Sequence, residues 1–313
     1  MELSRKSVVL SSVVVLLLLL FPISVGTEHT INLAVSLFIV VILAQAWNVL
    51  AGYAGQISLG NAAFFGIGAL AFHVLAWQWN LPVFVALPLA GASALVLGSV
   101  IGTPALRLKG AYFAIGTLAL AEVLRITVGN VFPRTVYVPT DQISSYSFLS
   151  RYYLALLLVV ITQVVAFLMV RSKTGLAMRA LRDDEETADS SGVDLFKYKY
   201  LALVYSSFFS GLAGGLFAYY QISILPTSLF GPQWTFEPLV AASVGGAGTL
   251  VGPVIGSIFL ILVMELFALT LGKTYLIVFG AIFVFVVLFF PAGLVELSRR
   301  VRMLQRIKLR RGL

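Results

Sequence analysis

Two uncharged apolar runs, residues 154–170 and 200–220, flank the one long, densely charged passage of this chain, residues 171–199, RSKTGLAMRALRDDEETADSSGVDLFKYK. Six of the 13 acidic residues fall in it (Asp183, Asp184, Glu185, Glu186, Asp189 and Asp194), beside Arg171, Lys173, Arg179, Arg182, Lys197 and Lys199. An apolar helix of roughly 20 residues matches the hydrocarbon thickness of a bilayer, and charge this dense cannot share that space. The passage is therefore expected in water between two spans, and its basic residues favour the cytoplasmic side. It has internal order: Leu176, Ala177, Ala180, Leu181 and Ala188 fall on one side of a helix, and Gly192 follows as a stop. A docking helix and a solvated linker helix both fit this spacing.

Composition points to the same class. Hydrophobic residues make up 60% of the chain and charged residues 11%, with a mean hydropathy of +1.01. A soluble domain carries about 25% charged residues, so this chain lacks the polar surface to live in water. The expected fold is all-α, a polytopic membrane helical bundle forming a single domain over residues 1–313. The net charge of +8 fits anionic lipid and a positive-inside bias rather than nucleic acid. With no cysteine, disulfides, zinc–thiolate sites and thiol nucleophiles are excluded.

In chain order, Arg5 and Lys6 precede a first span at 8–25, which is long for a signal core and has no convincing cleavage site. A polar turn at 27–30 leads to a second span at 31–50. Residues 52–70, GYAGQISLGNAAFFGIGAL, combine five glycines with Gln56, Ser58 and Asn61. That density of helix-weakening and polar residues predicts a broken or re-entrant helix, tolerated at membrane depth only where it is buried in protein or lines a wet cavity. Close helix packing explains most of the glycines, while the polar trio leans toward a solute path. Trp77 and Trp79 mark an interface. A span at 82–105 follows, then one at 110–128 carrying Tyr112, Thr117, Glu122 and Arg125. Tyr112 joins Gln56, Ser58 and Asn61 as a candidate for the path. Glu122 and Arg125 are three apart and can pair, either as a functional charge or as an interfacial anchor. Spans at 152–170 and 200–220 bracket the charged passage, and a short apolar segment at 236–244 leads into a second glycine-rich break, GGAGTLVGPVIGS, at 245–257. GYAGQI at 52 and GGAGTL at 245 echo one another, which is compatible with an internal repeat. Residues 256–270, with Glu265 inside, and 275–290 complete the set, and the basic tail 299–313 suits a membrane surface.

If each run crosses once and the N-terminus lies inside, ten crossings result, both termini are cytoplasmic, and 17 of the 21 lysines and arginines lie inside. Arg125, Arg134, Arg151 and Lys273 fall outside, an asymmetry that favours this path over any with one crossing removed. The segment 236–244 is the weak point, being too short to span unaided.

Gly272-Lys273-Thr274 imitates the end of a phosphate-binding loop, but Phe267 stands where the loop needs its first glycine. His29 and His73 are the only histidines and have no partners at metal-ligand spacing. The reading is a transport protein with no catalytic site, metal or cofactor of its own. Energy then comes from a partner or from an ion gradient. A secondary carrier would need a titratable group deep in a span, for which Glu122 and Glu265 are the candidates, and a passive channel would leave the charged passage without a task.

Four blocks in order, GYAGQISLGNAAFFGIGA, LKGAYFAIGTLALAEVLR, SKTGLAMRALRDDEETADSSGVD and GGAGTLVGPVIG, resemble the permease subunits of branched-chain amino acid ABC transporters, of the second-permease type, over nearly the whole chain. The resemblance implies an importer subunit that pairs with a second, homologous permease, two cytoplasmic ATPase subunits and an extracytoplasmic substrate-binding protein. Residues 171–199 then match the family's cytoplasmic coupling loop, with Thr174, Gly175, Arg179, Arg182, Asp183, Asp184, Glu185, Ala188 and Gly192 expected to couple to the ATPase. Two departures stand out: Asn61 sits where many members carry histidine, and Thr187-Ala188-Asp189 is a loose version of the family's Glu-Ala-Ala pattern. Related permeases handle urea, short amides or other amino acids, so the substrate stays open on sequence.

Overall fold

Capping side chains and close-packed glycines set where the helices begin, end and meet. A computed structural model describes residues 17–22, 27–108, 110–139 and 147–271, with Gly280 and Gly293, and for 268–271 the backbone alone. Most of the expected span 8–25, the motif 272–274, the span 275–290 and the tail 299–313 lie outside the described residues.

The helices are α1 (Glu28–Trp47, continued by a π turn Asn48–Tyr53), α2 (Asn61–Phe72, continued by a π turn His73–Gln78), α3 (Val83–Ala105), α4 (Ala111–Val131) and α5 (Phe148–Arg171). After the two short helices α6 (Lys173–Asp183) and α7 (Glu185–Ser190) come α8 (Leu195–Tyr220), α9 (Pro226–Leu229), α10 (Gln233–Gly245) and α11 (Gly252–Leu271). Six of these helical segments are long and apolar enough to cross a membrane, so the all-α polytopic bundle holds.

The expected polar turn at 27–30 is instead the start of α1. Thr27 is its N-cap, accepting from the Thr30 backbone N–H at 3.4 Å, and this adds a turn before Ile31. The buried α8 packs against α1, α2 and α3. Small residues permit this: a Cβ on Gly68 of α2 would lie 2.1 Å from the carbonyl oxygen of Gly211 of α8. In a bilayer, where water does not drive helices together, such close backbone approach is a main source of association. The outer faces of α3 and α4 stay apolar and exposed, through Phe84, Val96 and Val100 and through Ile115, Val123 and Ile126.

The bundle has two different ends. At one, Val136 and Tyr137 pair antiparallel with Ile224 and Ser223, joining the loop after α4 to the loop after α8. At the other, the charged pair α6–α7 meets both glycine-rich breaks. Among the described residues, Gly110, at the start of α4, lies at this same end and lines a cavity with Arg182 and Glu185.

The short segment 236–244 also has its explanation. It is part of α10, which runs for 13 residues and need not cross alone. The chain descends from the ladder end through α9 and Phe230, whose ring packs where Gly66 of α2 lacks a side chain. Helix α10 therefore starts inside the bundle, where Trp234 stacks on Phe65 with centroids 4.0 Å apart.

Candidate functional site

The first break is real, and its loop folds back beside α1. After Tyr53 the helix stops, residues 54–60 are non-helical, and α2 starts at Asn61. Trp47 Nε1 donates to the Ser58 carbonyl at 2.9 Å, so the loop turns back alongside the last turns of α1. Side chains satisfy the backbone here, two of them from other helices and one from the loop itself. Leu59 N–H donates to Thr117 Oγ1 of α4 at 3.0 Å, Ala62 N–H donates to Thr235 Oγ1 of α10 at 3.1 Å, and Gly60 N–H donates to Ser58 Oγ at 3.1 Å. Two helix starts, those of α2 and α10, therefore meet within the bundle.

The second break is the turn 246–251 between α10 and α11. It is joined to the first through Asn48, which is fully buried. Asn48 Oδ1 accepts from Gly248 N–H at 2.7 Å, and Asn48 Nδ2 donates to the Thr249 carbonyl at 2.8 Å.

The charged passage folds as two helices rather than the one expected. Asp184 is extended and caps α7, accepting from Thr187 N–H at 2.9 Å. That backbone bond is the main reason its carboxyl is held below the usual carboxylate range. Ser172 caps α6, accepting from Thr174 N–H at 3.2 Å. Gly192 ends the unit as expected, with φ of 81°. Its N–H donates to the Asp189 carbonyl at 2.8 Å and Val193 N–H donates to the Ala188 carbonyl at 3.0 Å, a Schellman closure that favours glycine.

The apolar stripe read from spacing is divided between two faces. Gly175, Met178, Leu181 and Ala188 are buried, whereas Leu176 is 69% exposed and Ala180 is exposed beside it. The helix pair thus presents apolar surface outward as well as inward. Beside Ala180, a groove of about 220 Å³ is lined by Asp183, Asp184, Thr187, Ala188 and Val193.

On the inward side, Arg182 Nη1 donates to the Gly52 carbonyl, and its guanidinium lies where a side chain on Gly248 would be. Arg179 Nη2 donates to the Val170 carbonyl at 3.0 Å. Gln56 Nε2 donates to Glu185 Oε1 at 3.1 Å, and the same oxygen is 2.8 Å from Lys199 Nζ. A second cavity, of about 370 Å³, lies among Gly55, Gly110, Arg182, Asp183, Glu185 and Glu186. Spacing alone did not reveal Asn48, Thr117, Thr235 or Lys199, because each acts on a distant part of the chain.

Of the four path candidates, Gln56, Ser58 and Asn61 are buried around the first break, and Tyr112 is 73% exposed on the outer face of α4. Among the described residues, neither amide atom of Asn61 finds a hydrogen-bond partner, nor does either of Gln45, or the hydroxyl oxygen of Ser206 or Ser210. Buried polar groups of this kind need water or a solute, because leaving them bare is costly. Glu122 pairs with Arg125 (Nε to Oε2, 2.9 Å), and Glu265 lies 3.2 Å from His29. Both carboxylates are partly exposed at the bundle surface, which suits anchoring better than ion coupling.

Comparison with known proteins places these features. The family described as branched-chain amino acid transport system / permease component matches residues 29–287. The chain is 29% identical over 310 residues to the high-affinity branched-chain amino acid transport system permease protein LivM of Escherichia coli K12, covering 87% of this chain and 71% of that protein. It is 25% identical over 234 residues to a probable branched-chain amino acid transport permease protein LivM of Methanocaldococcus jannaschii, covering 68% of each. A shorter match, 40% identical over 90 residues and covering 28% of this chain and 26% of the relative, is to a putative glucose ABC transporter permease protein of Haloferax volcanii. No solved structure matches. The chain is a multi-pass membrane permease, and it belongs to the branched-chain amino acid transport system permease family.

Proposed function

We propose that the chain is one of two permease subunits of an importer that moves branched-chain amino acids inward, with ATP hydrolysed by partner subunits and solute delivered by an extracytoplasmic binding protein. In this reading α6–α7 is cytoplasmic, both termini are cytoplasmic, and the ladder end faces the binding protein. The observation that carries the proposal is the two-faced helix pair. Leu176 and Ala180 offer an apolar surface to a docking partner, while Arg182 on the opposite side holds Gly52 beside Gly248. Thr174, Gly175, Arg179, Asp183, Asp184, Glu185, Ala188 and Gly192 shape or anchor that unit. A push on it reaches both breaks, and movement of packed helices about such breaks is an established way to open a path.

Asn61 and Gln45, with Ser206 and Ser210, offer neutral donors and acceptors to a passing solute, with Ser58 and Gln56 at the mouth. Tyr112 lies on the face the second permease would cover. Neutral contacts bind weakly, as suits a path fed by a separate high-affinity protein.

The test is reconstitution with ATPase subunits and binding protein in liposomes. Leu176→Asp should abolish co-purification of the ATPase subunits while the permease pair still inserts. Retained co-purification with normal uptake would remove the docking role. A competition panel of branched-chain amino acids, urea, short amides and glucose would assign the substrate.

A further inference from the structure

Lys199 carries an ammonium into the charged end of the bundle, where its side chain is only 6% exposed. Its counter-charge is Glu185 Oε1 at 2.8 Å, and Gln56 Nε2 donates to that same oxygen at 3.1 Å. One carboxylate oxygen therefore ties three elements: the first residue of α7, the start of α8 and the loop of the first break. Helix α8 in turn packs against α1, α2 and α3.

We infer that Glu185 is a positioning residue that makes α7, the start of α8 and the loop 54–60 move as one body, so that displacement of the helix pair is delivered to the centre of the bundle. The inference rests on the proposal that α6–α7 receives work from an ATPase. The physical reason is an asymmetry of costs. Sliding α7 away from α8 would strand a buried ammonium, and an unpaired buried charge costs far more than a broken neutral hydrogen bond. The cheaper response is for α8 and the loop to follow. An amide at 185 could still accept from Gln56, but it could not neutralise Lys199.

The experiment measures solute taken up per ATP hydrolysed by the assembled transporter in liposomes. The unaltered transporter is scored first: uptake without ATP would overturn the reading this inference rests on, and the inference with it, whereas the variants below test the tie alone. In an ATP-driven transporter, Glu185→Gln should lower the ratio about tenfold in the complex that assembles, within the range of ordinary coupling energies, while ATP hydrolysis per complex stays near normal. Exchanging the charges, Glu185→Lys with Lys199→Glu, should restore much of the ratio. A merely structural role would lower yield and both rates together and leave the ratio alone. If Glu185→Gln does not assemble, Glu185→Gln with Lys199→Met leaves no buried charge unpaired and carries the same test: a low ratio supports the tie, and a normal ratio overturns it. An unchanged ratio in Glu185→Gln, or an equal fall in Glu186→Gln at the exposed neighbour, also overturns it.

Discussion

The two glycine-rich breaks share a G-x-A-G start and meet at Arg182, yet they are held in opposite ways. The first, 54–60, is held by side chains from elsewhere: Trp47, Thr117 and Thr235 satisfy its backbone and Glu185 takes Gln56. The second, 246–251, takes the Asn48 side chain, but the helices that flank it close main chain against main chain. A Cβ on Gly245 would fall 1.8 Å from the Gly252 carbonyl oxygen, and one on Gly256 would fall 1.7 Å from that of Ala241. A break held by side chains can shift by exchanging hydrogen bonds. One whose flanking helices meet main chain to main chain has little room to yield. The first is therefore suited to move and the second to serve as a fixed corner.

The largest expected effect is at that corner. Gly256→Val should cost about 3 kcal/mol or more, because overpacking against main chain forces helices apart. Gly60→Ala, whose new Cβ would sit 2.9 Å from the Thr117 carbonyl oxygen, should cost nearer 1 kcal/mol by the same principle. Thermal unfolding in detergent ranks the pair, and equal losses would break the contrast. Next comes the bridge between the breaks. Asn48→Ala leaves Gly248 N–H and the Thr249 carbonyl without their partner and should cost about 1–3 kcal/mol. Urea titration of the purified permease checks this, and a neutral result would mean that the corner stands without the bridge.

The smallest effect concerns pH. The Asp184 carboxyl is held low in the folded state by its bond from Thr187 N–H. Its stabilisation is therefore present at neutral pH and is lost as pH falls through the folded value. Protection factors at 185–190, which divide out the intrinsic pH dependence of amide exchange, should fall on acidification, and Asp184→Asn should remove that fall. A dependence that survives the substitution would assign it to another group.

These contrasts show what could be read in advance. The described spans, both breaks, the Gly192 stop and the Glu122–Arg125 pair follow from local rules of hydropathy, backbone freedom and helical spacing. The division of the charged passage at Asp184 was harder to see, because its residues also suit one continuous helix, and only the capping bond shows where the second begins. Leu176 shares an apolar arc with Ala180, yet it faces outward because the bundle takes Met178 and Leu181 instead. Spacing defines an arc but not which arc the rest of the protein covers. The early start of α10 depends on contacts with Phe65 and Leu59, some 170 residues away in sequence, a separation no local pattern can encode.

The small ladder of Val136 and Tyr137 with Ile224 and Ser223 has a mechanical consequence. It ties the far ends of α4 and α8 together, while the force proposed for α8 arrives at its other end. A rod tethered at one tip and pushed at the other pivots. For a 26-residue helix of about 39 Å, a thrust of about 5 Å becomes a tilt of about 7°. The fulcrum is four residues of strand, and in the proposed importer displacement is smallest at the end where a delivery protein would have to keep its seat.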